Sequence, residues 1–311
     1  MVKTSWILAR RFLGLAIVFF GVTFLIYFCV FALPGDPIRA LAGDRPLSES
    51  TVNTLRARYH LDEPLLQQYL RYIGGLLHGD FGTNFSGRSV GEQMASRWPV
   101  TITLALTAWI IQIVIGVVLG LVSALREGTA VDKGILAVTV LASSVPVFVL
   151  GVSAQLVFGV KLAWFPVAGT TTGWPGSYLL PALVITAFGL AAISRLVRSS
   201  VLENLQADYV RTAWAKGLSD QRTVGVHVMR NSLIPTVTFL ATDLGYLLGG
   251  TVIIEGIFNL PGVGNLLFQA IRAHEGPTVV GISTSLILIF LVTSVLVDAV
   301  HALLDPRVRL D

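Results

Sequence analysis

Six stretches of this chain meet or approach the length of a membrane crossing: roughly Phe12 to Leu33, Val100 to Leu125, Ile135 to Val160, Leu179 to Leu196, Leu233 to Ile254 and Val279 to Leu304. A helix needs about 20 apolar residues to cross a hydrocarbon core of about 30 Å, and in lipid each backbone polar group has to be paired internally. The pattern predicts an all-α polytopic membrane protein with six transmembrane helices. Only 13% of residues are charged and the mean hydropathy is +0.75, which excludes an ordinary water-soluble domain.

The first run follows Lys3, Arg10 and Arg11 and has the layout of a secretory leader. Its apolar core is too long for one, so it reads as a retained signal-anchor helix. Cys29, the one cysteine, falls inside it, which excludes a disulfide framework and a CxxC metal or redox pair. With six spans, the basic residues of one set of short segments share a side: those at the N-terminus, Arg126 and Lys133, Arg195 through Arg230, and Arg307 and Arg309. The short loops opposite hold only Lys161 and Arg272. Both termini are therefore placed in the cytoplasm. The net charge of +4 is a topology signal, and the basic face that nucleic-acid binding needs is missing.

Residues 1–33 read as the cytoplasmic N-terminus and first span, 34–97 as an extracytoplasmic loop domain, 98–304 as the transmembrane core and 305–311 as a cytoplasmic tail. The loop opens on the breaker PGDP, Pro34 to Pro37. Behind Pro64, the residues Leu65, Leu66, Tyr69, Leu70, Ile73 and Leu77 recur at helical spacing and predict a short amphipathic helix in a small cap. Pro99, Pro181 and Pro235 mark the starts of spans two, four and five, where a missing N–H costs little. Pro146, behind Ser143 and Ser144, lies inside span three and predicts a kink.

Ion-coupled carriers rely on buried charges, and few fall in these spans: Asp243, Glu255 at the outer end of span five, Asp298 and His301. No acid or histidine relay and no arginine ladder is present; Asp243 reads as an interhelical hydrogen bond or a polar path lining. The sequence has no GxxxxGK[ST], HExxH or GxSxG, so no catalytic site is expected here. Between spans four and five, residues 198–235 include DYVRTAWAKGLSDQRTVGVHVMRNSLIP. As a helix, Ala207 to Leu218 puts Val210, Ala213, Trp214, Gly217 and Leu218 on one stripe, with Gly217 suited to a C-cap and Ser219 to capping a second helix towards Pro235. Small residues at Ala213 and Gly217 allow close approach by another surface. Periodicity alone suits docking on lipid headgroups and docking on a protein equally.

DYVRTAWAKGLS followed by HVMRNSLIP resembles the coupling (EAA) loop of the B-type permease subunit of dipeptide/oligopeptide ABC importers, with the second Ala and the Gly of the general pattern falling on Ala213 and Gly217. ALPGDP, LDEPLLQQYLRYIGGLLHGDFGTNF and GGTVIIEGIFNLPGVGNLL are similar to the same subunit type, in the same order. The resemblance implies a type I importer fold. It also implies a second homologous permease subunit, two ATP-binding subunits that carry ATP and Mg, an extracytoplasmic solute-binding protein and a peptide substrate, with no cofactor or metal bound by this chain. Asp208, Tyr209, Arg211, Thr212, Ala213, Lys216, Gly217, Leu218 and Arg222 would then couple to an ATPase. Asp243, Glu255, Phe258, Asn259 and Pro261 are the candidates for the translocation path or outer gate. The turn-rich run Glu255 to Asn265 is expected either to border the outer mouth or to be a plain re-entrant connector. A permease for nickel or another small solute shares this architecture; an ATP-independent carrier or channel is the rival of a different class.

Overall fold

The computed structural model describes residues 2–32, 38 and 48–304. The PGDP breaker at Pro34 to Pro37 and the tail at 305–311 lie outside the described residues, as do the side chains of Asp298 and His301. Five described helices are long and apolar enough to cross a membrane. They are α1 (Val2–Phe31), α4 (Val90–Leu125), α7 (Gly176–Leu205), α9 (Met229–Ile257, with its lead-in from Asp220) and α11 (Gly276–Leu304). The shorter helices α2 (Glu49–Arg58) and α3 (Leu65–Leu76) lie between α1 and α4.

The interruption expected at Pro146 in the third span is present, and it is a break between two helices. α5 (Ala130–Ser144) and α6 (Val147–Ala154, running on as a π-helical stretch Gln155–Lys161) meet at 96°. Val145 takes an extended backbone, φ −84 and ψ 130, as residues before proline do, and Pro146 opens the new helix where no N–H is needed. Ser143 and Ser144 both donate to the Val140 carbonyl, at 3.0 and 2.8 Å, which satisfies an acceptor in the interrupted last turn. The other three proline placements are corrected. Pro99, Pro181 and Pro235 lie inside α4, α7 and α9, because each helix starts upstream of the apolar run that revealed it.

By contact density the chain divides into two units, one built mainly from Met1–Thr101 and Pro261–Val292, the other mainly from Ile102–Leu260. In the second, α7 packs closely on α4. A Cβ at Gly116 would sit 2.6 Å from Ile193, and one at Gly120 2.6 Å from Val197 and 2.7 Å from the Ser194 carbonyl. This is the small-xxx-small packing by which membrane helices approach without a hydrophobic driving force. Thr186 donates to the Ala108 carbonyl at 3.1 Å and Trp109 Nε1 to the Leu240 carbonyl at 2.9 Å, tying α4 to α7 and α9.

In the first unit, Ser48 caps α2 by accepting the Thr51 N–H. The predicted amphipathic helix is α3, but its apolar residues divide between two faces. Tyr69 is buried with Tyr27 and Val280, and its hydroxyl meets Thr23 Oγ1 at 2.8 Å. Leu66, Leu70 and Leu77 point outward and stay exposed, as on a helix resting in a membrane interface. One element was not foreseen: α10 (Val263–Arg272) begins inside the run read as turn-rich. Val263 and Leu266 pack with Val90, Met94 and Ile282, and the Val263 N–H donates to Thr101 Oγ1 at 2.9 Å.

Candidate functional site: the loop between α7 and α9

After α7 the chain turns through Gln206 and the extended Ala207 into α8 (Asp208–Ala215). Ala207 offers no side-chain cap, but Asp208 places a carboxylate in the first turn, where the helix dipole favours it. Tyr209 donates to Asn204 Oδ1 at 2.7 Å and Thr212 to the Asp208 carbonyl at 2.9 Å. The Arg211–Asp208 pair, at 3.6 Å and open to solvent, adds little.

The end of α8 is a Schellman turn. The Leu218 N–H reaches the Ala213 carbonyl at 3.2 Å and the Gly217 N–H the Trp214 carbonyl at 2.9 Å, with Gly217 at φ +79. The predicted glycine cap is therefore present. Ser219 begins the next helix through its backbone, without a side-chain bond, and Trp214 Nε1 donates to Asp220 Oδ1 at 3.0 Å across the turn. The chain then passes through Asp220–Arg222 and a π-helical stretch, Thr223–Val228, directly into α9. Ser232 donates to the Ser200 carbonyl at 3.2 Å, fixing α9 against α7.

Burial decides which face of α8 is available. Val210 is fully buried with Ala124, Ile193, Val197, Val201 and Val228, and Ala213 is 7% exposed. The predicted apolar stripe is narrower than its spacing implied, since Trp214 and Gly217 are exposed and Leu218 is half-buried. The role expected for Ala213 at a partner surface is corrected accordingly: it seats the helix on its own chain. Asp208, Tyr209, Arg211, Thr212, Lys216 and Arg222 stay exposed, forming a polar, mostly basic face with an aromatic edge.

Of the path candidates, Asp243 is half-buried and accepts from Gln112 Nε2 at 2.7 Å, the interhelical bond read from the sequence. Glu255 is fully buried and Phe258 is 1% exposed, so neither presents its side chain at a surface. Asn259, at φ +46, and Pro261 are exposed. The segment before them is held by Gln155 Nε2, which donates to the Ile257 and Val167 carbonyls at 3.1 and 2.8 Å, and by the Gly169 N–H, which donates to the Phe258 carbonyl at 2.9 Å.

One polar cluster was missed. Arg198, near the end of α7, donates twice to Asp132 at the start of α5, both bonds at 2.8 Å. Ser123 and the Gly128 N–H also donate to that carboxylate. The local half was legible, since Thr129 and Asp132 form the T-x-x-D signature of a helix start and the Asp132 N–H reaches Thr129 Oγ1. Its partner lies 66 positions away in sequence.

Residues 116–310 match the family described as binding-protein-dependent transport system inner membrane component, and residues 4–105 match the N-terminal part of such membrane components. The di/tripeptide transport system permease protein DppB of Pseudomonas aeruginosa (strain UCBPP-PA14) is 38% identical, over 97% of this chain and 98% of its own. The glutathione transport system permease protein GsiC of Escherichia coli (strain K12) is 34% identical, over 96% and 97%. Among solved structures, the MetNI methionine ABC transporter in inward-facing conformations aligns with a TM-score of 0.51 at 18% identity, covering 67% of this chain and 95% of that one, a likeness of fold.

Proposed function

The chain belongs to the family of binding-protein-dependent transport system inner membrane components, and from that premise we propose that it carries small peptides across the bacterial inner membrane, with α8 as the helix through which ATP hydrolysis drives it. It is a multi-pass permease, a transport component and not a catalytic subunit. ATP and Mg belong to two partner ATPases. A second permease subunit completes the path, and a solute-binding protein delivers the peptide. The peptide substrate is supported by the relatives named for di/tripeptide and glutathione transport, whose lengths this chain matches almost end to end.

The observation that carries the coupling role is the construction of α8. Its inner side is anchored in the core by Val210 and Ala213, and its end is closed by a Schellman turn. Trp214 and Asp220 pin it to the lead-in of α9. A helix held at both ends and continuous with a membrane span moves as one piece, which is what transmission between two arrangements requires. Its exposed Arg211, Lys216 and Arg222 favour an acidic groove on the partner over bare water.

Deleting the gene and measuring uptake of a radiolabelled dipeptide tests the substrate, and nickel uptake in the same strain tests the small-solute alternative. Loss of dipeptide uptake, restored by the intact chain, is expected. Unchanged dipeptide uptake with lost nickel uptake would replace the peptide reading.

A further inference from the structure

The first unit holds an open cleft of about 300 Å³ beside the Phe31 end of α1 and the start of α11, at the lower end of the range of small-molecule sites, with Arg58 and Asp80 exposed at its rim. Its wall is aromatic, with Tyr27, Phe31, Tyr59, Tyr72 and Phe81. The Tyr59 hydroxyl donates to the Asn84 carbonyl, which fixes that part of the wall. Most charges near the cleft are already matched. Arg71 donates to both oxygens of Glu63, at 2.8 and 3.0 Å, and His60 Nδ1 lies 3.1 Å from the same carboxylate.

Two lining residues of opposite sign are different. Among the described residues Arg58 forms no ion pair; its guanidinium lies 5.9 Å from the centre of the Tyr59 ring. Asp80 accepts the Gly82 N–H at Oδ1, 2.8 Å away, and has no cation paired with it among the described residues. An unmatched guanidinium and an unmatched carboxylate on one aromatic wall complement a molecule with a carboxylate at one end, an ammonium group at the other and an apolar body between. Guanidinium binds carboxylate through two parallel hydrogen bonds, and aromatic faces accept both apolar side chains and ammonium groups.

We propose that this cleft is a binding site for a zwitterionic di- or tripeptide, with Arg58 taking the terminal carboxylate, Asp80 the terminal ammonium group and the aromatic wall the side chains. The identity of the ligand as a peptide rests on the transport reading above; the cleft and its two charges do not.

The full chain in dodecyl maltoside, titrated with the dipeptide Gly-Phe in a calorimeter, tests this directly. Saturable binding is expected, weakened about tenfold or more by Arg58→Gln, by Asp80→Asn, or by acetylating and amidating the peptide, since each change removes a charge-assisted bond. Arg88→Gln, outside the cleft, should leave the affinity unchanged, and circular dichroism checks that each variant is folded. No saturable binding, equal binding of the blocked peptide, or undiminished binding by both cleft variants overturns the proposal. Tighter binding of glycerophosphoethanolamine than of Gly-Phe also overturns it and assigns the cleft to a lipid headgroup. The peptide reading itself is separable: full dipeptide uptake by cells carrying Arg58→Gln sinks the cleft alone, whereas retained uptake in a strain without the chain sinks the substrate.

Discussion

Gly120 has no side chain where α4 lies against α7, and the space a methyl group would need is filled by Val197 and by the backbone carbonyl of Ser194. A side chain could swing away; a carbonyl inside a helix cannot. Gly120→Ala should therefore force the helices apart at a cost of about 1–3 kcal/mol, the usual range for overpacking. Titration with sodium dodecyl sulfate, read by circular dichroism, would show it as an earlier unfolding midpoint, and an unchanged midpoint would mean that the two helices are not in contact there. Asp132 poses the opposite problem, because its removal strands donors. Arg198, Ser123 and the Gly128 N–H all point at its carboxylate. Asp132→Ala should unfold earlier than Asp132→Asn, which keeps one acceptor oxygen. Adding Arg198→Ala to Asp132→Ala should recover part of the loss, as expected where one member of a pair is left uncompensated. If the double variant loses the full sum of the single effects, the pair is not coupled.

At the scale of elements, α8 depends on one backbone conformation. Gly217 sits at φ +79 with open space where its Cβ would be, so a substitution there is opposed by the backbone and not by a neighbour. An L-residue in that region costs roughly 1–2 kcal/mol, and asparagine tolerates it best. Peptide uptake should fall in the order Gly217, Gly217→Asn, Gly217→Val, with all three proteins present at equal levels in the membrane. Equal uptake by the valine variant would detach coupling from the turn. The turn was legible beforehand because its causes are local: helical spacing up to Ala215, then a glycine. The face of α8 was not, because spacing marks Val210, Ala213 and Trp214 as one stripe and only the position of the core decides that Trp214 is left outside. The same limit hid α10, whose Val263, Leu266 and Leu267 keep helical spacing behind a Pro-Gly pair that reads as a turn. It also hid the 96° break, since Pro146 foretells an interruption but not the direction in which the chain leaves it.

For the whole molecule, that break decides the topology. If α5 and α6 together cross the membrane, the chain has six crossings, the segment before α7 lies outside and α8 lies in the cytoplasm. If they dip in and return on the same side, there are five, and α8 with all of its basic residues is turned outward. The positive-inside rule favours six, because Arg195, Arg198, Arg211, Lys216, Arg222 and Arg230 then share a side with the N-terminal cations. Cysteine labelling separates the two. With Cys29 replaced by serine, Ser86→Cys, Thr171→Cys and Lys216→Cys each offer one thiol at an exposed position. A membrane-impermeant maleimide added to intact spheroplasts should label the first two and reach Lys216→Cys only after permeabilisation. Labelling of Ser86→Cys and Lys216→Cys with Thr171→Cys protected would make the bent pair a re-entrant hairpin. It would also put α8 out of reach of any cytoplasmic ATPase, so a single pattern of accessibility tests the topology and the coupling role together.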